Sequence, residues 1–465
     1  MKKTIGIVIL AAGQGKRMGT DTPKPLLIAS GKRLIDFPIH EAKMFCEKSN
    51  LSFLITAVTG HKRELVNEYL GQHYKDVATV FQKEQLGTAD AIRSYFAQQK
   101  AGKDYDYTLI LCADTPLIRS IHLSFLWKNL LSQNLDAVAA TFIADDPAGY
   151  GRILRGEKGF RIVEHKDASE EQKIIDEVNS GLYIMKTDYL LSHLAEIDAN
   201  NKSQEFYLTD VFKEEANVAP ILFDDYKSFV GVNNPDQLEE VFLELNYEKI
   251  YDLKKNGVSF YDSSCTYVDW DVKVGAGSIV YPNVSLRGNS VIGKNVVIDS
   301  GSIIKDSIIG NQTTINPYSI IEKSHIGEKV SIGPFARIRP DTEVGDNSKI
   351  GNFVETKKAK LKKGVKVSHL SYVGDAIIGE ETNIGCGFIT CNYDGVNKHL
   401  TEIGKGCFIG SDSQMIAPVK IGNDCYVASG STINKNMDDG DFAIARSKQE
   451  IKPGLAKKFI KKKDK

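Results

Sequence analysis

The chain has 465 residues, of which 42% are hydrophobic and 26% are charged, with 59 lysines and arginines against 60 aspartates and glutamates. This length is sufficient for more than one hydrophobic core, and the composition is that of a folded globular protein. The balanced charge argues against a nucleic-acid-binding protein. The seven cysteines form no C-x-x-C pair, so they predict neither a disulfide scaffold nor a structural zinc site, and they favour a reducing compartment.

No apolar segment reaches the roughly 18 to 20 residues that cross a bilayer, so the sequence predicts no integral membrane association. The first apolar stretch, residues 5–12, is short and is followed by Lys16 and Arg17. These charges argue against a secretory signal, and we interpret the stretch as a buried β-strand. The expected location is the cytoplasm.

Short aliphatic runs alternate with helical stretches up to about residue 232. This alternation predicts an α/β domain with a mostly parallel, Rossmann-like sheet, in which ligands bind at the carboxyl ends of the strands. The predicted strands cover residues 5–11, 53–59, 108–113, 137–143 and 182–185. The charged segment 234–256 has approximately helical spacing of its apolar residues and predicts a linker helix.

From about Asp271 onward an aliphatic residue recurs every six positions, with occasional five-residue steps, and it often has a glycine directly after it. The members of this series are Val274, Val280, Leu286, Ile292, Ile298, Ile304, Ile309, Ile315, Ile321, Ile326, Ile332, Ile338, Val344, Ile350, Val367, Val373, Ile378, Ile384, Ile403, Ile409, Met415, Ile421, Val427 and Ile433. Such a period predicts a parallel β-helix whose three faces form a coil of about eighteen residues. The aliphatic side chain would point into the column, and the glycine would permit the corner.

This pattern resembles the hexapeptide-repeat left-handed β-helix, and its handedness is taken from that resemblance. Proteins with this fold are commonly trimeric acyltransferases, which implies a homotrimer with the acyl donor between neighbouring columns. We therefore expect an α/β domain at 1–233, a linker helix at 234–256 and a β-helix at 257–465. The chain ends in a lysine-rich tail, which we interpret as solvated.

A glycine-containing loop follows the first predicted strand in the string LAAGQGKRM, residues 10–18. Gly13 and Gly15 allow backbone amides to approach phosphate oxygens. Positive charge for a triphosphate comes from Lys16, Arg17 and Lys24. Together with PKPL at 23–26, the string resembles the G-x-G-x-x-R signature of sugar nucleotidyltransferases. The resemblance implies nucleotide contacts from Leu10, Ala11, Ala12, Gly13 and Lys24.

Two further strings are similar to the same family. FQKEQLGTADA at 81–91 resembles a uridine-recognition segment, which implies that Gln82, Gly87 and Thr88 bind the uracil of UTP. LILCADTPL at 109–117 places Asp114 directly after an apolar strand, where a carboxylate oxygen could bind Mg²⁺.

Four shorter segments resemble N-acetylglucosamine-1-phosphate uridyltransferases, at residues 147–153, 163–166, 177–181 and 231–234. The resemblance implies that Gly149, Glu164 and Asn179 contact the sugar. It also implies that Asn233 is a second Mg²⁺ ligand. One position departs from the family, since Cys112 stands where relatives often have an aromatic residue.

The reaction that these motifs imply needs no general base, because a sugar 1-phosphate is already an anionic nucleophile. It needs in-line positioning at the α-phosphorus of UTP and neutralisation of the departing pyrophosphate. Mg²⁺, Arg17 and Lys24 are suited to this neutralisation.

Polar residues are inserted into the aliphatic repeat in three segments, at 335–340, 351–376 and 385–401. These segments are similar to the acetyltransferase half of the bacterial bifunctional N-acetylglucosamine-1-phosphate uridyltransferase/glucosamine-1-phosphate N-acetyltransferase family. The resemblance therefore extends over nearly the whole chain.

This resemblance implies that His369 is the general base, since an imidazole can accept the proton of an attacking amine near neutral pH. Arg339 and Lys357 would bind the sugar phosphate. Tyr372 and Asn383 would orient the sugar. The implied acetyl-CoA contacts are Cys386, Asn392, Tyr393, Ser411, Ser429 and Arg446, with Cys386 and Ser429 at positions that are often alanine in relatives.

The leading hypothesis is a two-site enzyme that acetylates glucosamine 1-phosphate with acetyl-CoA and then transfers a uridyl group from UTP, in an expected envelope-precursor role. One alternative is a nucleotidyltransferase with a non-catalytic β-helix, which predicts a repeat without the polar set around His369. A sugar-nucleotide-sensing scaffold is the second alternative, and it predicts loss of Asp114 or Lys24. The sequence contains all of these residues.

Overall fold

The structure, a computed structural model, describes residues 2–99 and 104–460, with only the backbone of Lys16. The chain divides into two compact units, Met1–Leu245 and Asn246–Lys465. Part of the predicted lysine-rich tail, 461–465, lies outside the described residues. None of the helices described combines the length and the apolar character that a membrane crossing requires.

The first unit is an α/β domain with helices on both faces of a sheet. Its strands are β1 (Thr4–Ala11), β2 (Ile28–Ala29), β3 (Lys32–Arg33), β4 (Ser52–Thr59), β5 (Val77–Phe81), β6 (Tyr107–Cys112), β7 (Ala137–Ile143), β8 (Arg152–Arg155), β9 (Phe160–Val163), β10 (Glu177–Lys186) and β11 (Val218–Phe223). Its helices are α1 (Asp36–Lys48), α2 (Arg63–His73), α3 (Thr88–Gln98), α4 (Ser120–Ser132), α5 (Glu170–Lys173) and α6 (Thr187–Leu194). Short 3-10 helices cover Lys16–Met18, Lys24–Leu26, Leu208–Val211 and Tyr226–Phe229. Helix α7 (Pro235–Lys255) follows where the linker helix is predicted.

The main sheet has the order β11-β7-β10-β6-β1-β4-β5, and β8 and β9 extend it beside β10. Within that order the neighbouring strands are parallel except where β10 pairs with β6 and β7, so the prediction of a mostly parallel sheet is confirmed. The additional pairs of β8 with β10 and with β9 are antiparallel. The predicted strand at 182–185 is the antiparallel β10. The sequence did not predict β5 and β11, because these edge strands are only partly buried and β11 contains Pro220.

The second unit is a parallel β-helix of short strands. They are β12 (Ser259–Phe260), β13 (Tyr267–Val268), β14 (Lys273–Val274), β15 (Ile279–Val280), β16 (Ser285–Arg287), β17 (Val291–Ile292), β18 (Val297–Ile298), β19 (Ile303–Lys305), β20 (Ile308–Ile309), β21 (Thr314–Ile315), β22 (Ile320–Glu322), β23 (His325–Ile326), β24 (Ser331–Ile332), β25 (Arg337–Ile338), β26 (Glu343–Val344), β27 (Lys349–Asn352), β28 (Glu355–Leu361), β29 (Lys366–His369), β30 (Tyr372–Ile378), β31 (Asn383–Ile384), β32 (Ile389–Cys391), β33 (Thr401–Ile403), β34 (Phe408–Ile409), β35 (Gln414–Ile416), β36 (Val419–Ile421), β37 (Tyr426–Val427), β38 (Thr432–Ile433) and β39 (Phe442–Ala443). A 3-10 helix covers Leu455–Lys458.

Successive coils of this column pair in register. Ile279 lies beside Val297, and Val297 lies beside Thr314, so some coils have one residue fewer where the repeat has a five-residue step. Every aliphatic residue of the predicted series is buried, and together they form one continuous core. The prediction of a β-helix with coils of about eighteen residues is therefore confirmed.

The glycines after the aliphatic residues have a different role from the predicted one. A Cβ atom at Gly275 would lie 2.7 Å from the backbone of Gly293 in the next coil, so glycine permits the coils to approach closely. Many corners instead use other residues at positive φ, such as Asn295 at 55° and Asn347 at 58°.

The inward row, formed by the buried aliphatic residues of the repeat, predicts that substitutions at neighbouring residues of one strand differ sharply in their effect on stability. Ile315 is completely buried, whereas the adjacent Thr314 faces outward and is half-buried. Ile315→Ala should lower the free energy of unfolding of the β-helix by about 2 to 5 kcal/mol, because it leaves a cavity in a packed core. Urea unfolding followed by circular dichroism measures this, with Thr314→Ala as the matched control. Equal losses in the two variants would contradict the assignment of the inward row.

Candidate functional site

A cavity of about 390 Å³ opens at the carboxyl ends of β1 and β6 in the first unit. It is lined by Leu10, Ala11, Ala12, Gly13, Lys24, Pro25, Gln82, Gln85, Gly87, Thr88, Ala91, Cys112, Ala113, Asp114 and Glu205. The cavity thus brings together the residues that the sequence predicted for the nucleotide and adds Gln85 and Glu205. Parallel pairing explains the convergence, because β1 and β6 are neighbours and the Ala113 amide donates to the Leu10 carbonyl at 3.0 Å.

The predicted uracil-binding residues form one wall of this cavity. The Gln82 side chain donates to the Gly87 carbonyl at 3.0 Å and to Asp90 at 2.8 Å. Thr88 begins α3, and its hydroxyl accepts from the Leu208 amide at 3.0 Å. These bonds fix the loop before α3, where a side chain in place of Gly87 would collide with the backbone of Phe206.

The Lys24 ammonium lies between the two predicted metal ligands. It contacts Asp114 Oδ2 and donates to Asn233 Oδ1 at 2.9 Å. The loops that carry these oxygens are joined, since the Val232 amide donates to the Asp114 carbonyl at 2.9 Å. The Asn233 backbone amide is held in turn by the Gln237 side chain at 2.8 Å.

Two oxygen ligands that converge on one cation suit Mg²⁺, which commonly takes one or two protein oxygens and completes its shell with substrate phosphates and water. Within the described residues, no cluster of three or more His, Cys, Asp or Glu side chains could hold a metal ion. Asp114 and Asn233 therefore fit a metal that arrives with the nucleotide, and they do not fit a resident metal held by the protein alone.

Cys112 lines the same cavity at the end of β6. Burial, together with the nearby Asp114 carboxylate, raises the pKa of the Cys112 thiol to about 12. The thiol is therefore neutral at physiological pH and adds no charge beside Asp114. Its sulfur is 4.0 Å from the Gly181 carbonyl.

The predicted sugar contacts Glu164 and Asn179 lie on either side of Gly151. A Cβ at Gly151 would be 3.6 Å from both the Glu164 carboxylate and Asn179 Cβ. Two partners that the sequence analysis missed hold these side chains: the Thr209 hydroxyl donates to Glu164 at 3.0 Å, and Asn179 donates to the Tyr183 hydroxyl at 2.7 Å. Tyr183 lies four residues after Asn179 in the same bulged strand, which is the one local signal for this pair.

Burial raises the pKa of Glu164, and the nearby Asp210 and Asp167 carboxylates add to this effect. Thr209 opposes it through its hydrogen bond. The site therefore holds a carboxylate at an energetic cost that a hydrogen-bonding ligand could offset.

Gly149 and Arg17 are both exposed. Gly149 has a positive φ of 85°, which a turn requires of it. Arg17 lies on the 3-10 helix Lys16–Met18. The structure thus places Arg17 beside the nucleotide loop and outside the residues that line the cavity.

In the second unit, five charged or polar side chains share one face of the column. Parallel pairing aligns Arg337, Glu355 and Tyr372 on successive coils. Two residues after Arg337, the Arg339 guanidinium bonds Glu355 at 2.7 Å, and this bond raises the pKa of Arg339.

Lys357 belongs to the same face and lies among cations. The Lys398 ammonium lowers the pKa of Lys357, and Arg339 adds to this effect. Lys398 comes from the loop that interrupts the repeat, which the sequence analysis did not single out for charge. Three cationic side chains beside one another form a site suited to a phosphate.

His369 lies at a corner of the column and is exposed. Its Nδ1 is 2.9 Å from the Asn352 Oδ1, and Asn352 is its register partner in the coil below. Because an amide oxygen can only accept, we assign the proton to Nδ1, which leaves a lone pair on Nε2. Asn352 is a residue that sequence reasoning missed, since its link to His369 depends on coil stacking.

Several residues predicted to contact acetyl-CoA lie at the same corner of the column as His369, on the coils that follow it in the chain. The Asp412 amide donates to the Cys386 carbonyl at 2.7 Å, and the Gly430 amide donates to the Ser411 carbonyl at 2.8 Å. Arg446 donates to the Ser429 carbonyl at 2.7 Å. These residues therefore lie along one line of the column.

The remaining predicted residues lie apart from this line. Asn383 is on the strand β31, between Lys366 below and Phe408 above. Asn392 donates to Asp375, and Tyr393 is 59% exposed in the loop between coils, with its hydroxyl on the Gly395 carbonyl.

The half-buried carboxyl of Glu164 generates a prediction for the ligand-free protein. Because the folded-state pKa of Glu164 is raised, the wild type loses stability as the pH rises from the ordinary carboxyl pKa through the raised value. Glu164→Gln should therefore raise the unfolding temperature at pH 8, and the gain should disappear below about pH 4. Calorimetry at the two pH values measures it. Glu171→Gln on the exposed helix α5 is the control, and a gain that did not depend on pH would contradict the assignment.

Comparison with known proteins agrees with this arrangement. The Nucleotidyl transferase family matches residues 7–225, the GMPPB C-terminal domain matches 263–342, and the Bacterial transferase hexapeptide family matches 400–435.

Three curated relatives are each named Bifunctional protein GlmU. The protein of Pelobacter propionicus is 39% identical over 99% of this chain and 100% of its own length. The protein of Staphylococcus haemolyticus is 41% identical over 97% of this chain and 99% of its own, and that of Thermosipho melanesiensis is 42% identical over 95% of each. The chain therefore belongs to the family of bifunctional GlmU enzymes, which join a nucleotidyltransferase domain to a hexapeptide-repeat acetyltransferase domain of the left-handed β-helix type.

Proposed function

We propose that residues 1–233 catalyse uridyl transfer and that residues 257–465 catalyse acetyl transfer, with 234–256 as the linker. In the first step acetyl-CoA acetylates glucosamine 1-phosphate. In the second, N-acetylglucosamine 1-phosphate attacks UTP to give UDP-N-acetylglucosamine and pyrophosphate. The observation that carries the proposal is the convergence of Asp114 and Asn233 on the Lys24 ammonium at the nucleotide cavity.

For uridyl transfer, the chain's own residues bind and orient two anions. The backbone from Leu10 to Gly13 and the wall formed by Gln82, Gly87 and Thr88 hold the nucleotide, and Lys24 in the cavity neutralises phosphate charge. Arg17, exposed beside the nucleotide loop, would add positive charge for phosphates that extend out of the cavity. A Mg²⁺ ion held by Asp114 and Asn233 would supply further neutralisation of the phosphates. No side chain needs to remove a proton, because the attacking phosphate is anionic.

The sugar is selected beside this cavity. Glu164 and Asn179 offer an acceptor and an amide to the hydroxyl and acetamido groups, and Gly149 leaves room for close approach of the backbone. A sugar hydroxyl that donates to Glu164 would stabilise its charged form and offset the cost of burial.

For acetyl transfer, His369 accepts the proton of the attacking amine on Nε2 while Asn352 holds the ring through Nδ1. Arg339 and Lys357 bind the sugar phosphate, and Tyr372 and Asn383 orient the sugar. The acetyl-CoA contacts are assigned to Cys386, Asn392, Tyr393, Ser411, Ser429 and Arg446, of which Cys386, Ser411, Ser429 and Arg446 follow the corner above His369.

We also propose a homotrimer in the cytoplasm. His369 and Tyr393 are exposed on a single column, so a second column would complete the walls of the acetyl site. The seven cysteines are free thiols, which supports a reducing compartment.

The two activities should separate at Asp114. Asp114→Asn removes a negative charge that a divalent cation needs, so uridyl transfer should fall by about 100-fold or more while acetyl transfer stays near wild type. Coupled pyrophosphate release at several Mg²⁺ concentrations measures this. The matched control is Asp136→Asn, which breaks another lysine ion pair of the same unit, to Lys186 at 2.8 Å. Unchanged Mg²⁺ dependence in Asp114→Asn would place the metal elsewhere.

The opposite separation is expected at His369. His369→Ala should lower acetyl transfer by about 10² to 10⁴ fold, the usual contribution of a positioned base, and should leave uridyl transfer unchanged. Both rates are measured on the same folded preparation, with His325→Ala as the control because His325 is also exposed on the column. Near-normal acetyl transfer would contradict the role of His369, and a β-helix without catalysis would show no acetyl transfer even in the wild type.

A further inference from the structure

Three exposed aromatic rings stack on one another near the C-terminal end of the β-helix. We call Phe408, Tyr426 and Phe442 the aromatic ladder. Their ring centroids are 4.9 and 5.5 Å apart with interplanar angles of 21° and 20°. The exposed fractions are 42%, 47% and 64%, and the next residue of each strand points toward the core.

The aromatic ladder continues a row that begins lower on the same face. Phe408 is the register partner of Asn383, and Asn383 is the partner of Lys366, which in turn pairs with Lys349. The outward residues therefore change from lysine to aromatic directly above Asn383, the residue assigned to the sugar.

A second row of residues lies beside the aromatic ladder, and each of its members is three positions later in the chain than a residue of the first row. We call His369, Cys386, Ser411 and Ser429 the corner row, because they follow Lys366, Asn383, Phe408 and Tyr426 respectively. Backbone bonds between coils stack its upper members, as described above. The aromatic ladder thus runs parallel to the line from the proposed base to the proposed donor contacts.

Stacked aromatic rings alone do not identify a site on this column. Tyr318, Phe335 and Phe353 also stack, and so do Tyr261 and Tyr281. What distinguishes the aromatic ladder is its position beside the corner row and the cation at its upper end. Arg446 lies four residues after Phe442 and donates to Ser429.

Coenzyme A has the matching chemistry, with a thioester at one end and an adenine nucleotide at the other. Four strand spacings of about 4.8 Å separate the coil of His369 from that of Phe442, or about 19 Å along the column. A donor with its thioester at His369 would carry its nucleotide toward Phe442 and Arg446. Aromatic rings stack on purines, and guanidinium groups bind phosphates.

We propose that the aromatic ladder is part of the acetyl-CoA site, with Phe442 stacking on the adenine and Arg446 binding the adjacent phosphates. Phe408 and Tyr426 would line the path of the pantetheine arm. The inference rests on the proposed acetyltransferase function, and it adds three residues that the sequence motifs did not include.

The test uses the full chain and two acyl donors. Phe442→Ala should raise the KM for acetyl-CoA and the Kd for coenzyme A by about 5-fold or more, as expected for loss of one base-stacking contact. The kcat and the KM for glucosamine 1-phosphate should not change. Acetyl-pantetheine, which lacks the nucleotide, should react equally with the wild type and Phe442→Ala. Phe442→Tyr should retain wild-type binding.

Tyr261→Ala is the matched control, because Tyr261 is an exposed, stacked aromatic residue directly after β12, the first strand of the same column. Calorimetry with coenzyme A separates this inference from the proposed activity. A wild type that binds coenzyme A without acetyl transfer would contradict the activity, while weaker binding by Phe442→Ala would still support the ladder. Unchanged binding of coenzyme A by Phe442→Ala would overturn the inference, and so would equal losses of activity with acetyl-CoA and acetyl-pantetheine. Dissociation of the Phe442→Ala oligomer in sedimentation would also overturn it, because the ladder would then contact a second copy of the chain.

Discussion

Parallel backbone pairing is the constraint on which both units of this protein depend. In the first unit it aligns the carboxyl ends of β1 and β6, so the loop from Leu10 to Gly13 lies beside Asp114. In the second it stacks coils in register about 4.8 Å apart, so residues 17 or 18 positions apart become neighbours. Side chains without local sequence proximity therefore form rows and clusters.

The two candidate sites differ in their exposure to solvent and in the arrangement of their charges. The nucleotide cavity is partly enclosed and contains Lys24, which bonds two oxygens, and a neutral Cys112 thiol, while the half-buried Glu164 lies outside its lining. The acetyl site is exposed on its column, where Arg339, Lys357 and Lys398 gather positive charge with one carboxylate, Glu355, among them. Enclosure favours selection by desolvation and hydrogen bonding, whereas an open cationic face favours capture of a phosphate.

In the β-helix, the residues that build the core and the residues available for binding occupy different positions of each coil. Glycines such as Gly275 bring the coils close together, and the inward aliphatic row is continuous. The outward positions are therefore free to vary, and they change from Lys349 and Lys366 to Asn383 and then to the aromatic ladder. A binding surface can form in this way because each coil of a solenoid contacts only its neighbours, so outward residues can differ from coil to coil.

The sequence by itself determined the repeat, the inward residues, the α/β class of the first half and the motif residues of the nucleotide cavity. These features are local, because the spacing of buried residues and the motifs at strand ends both depend on residues that are close together in the sequence. Only the tertiary structure decided that β10 runs antiparallel, that β5 and β11 form the edges, that Asn352 holds His369 and that Lys398 approaches Lys357. Each of these depends on which strands or coils lie side by side, and a period of six residues does not encode which side chains meet across coils.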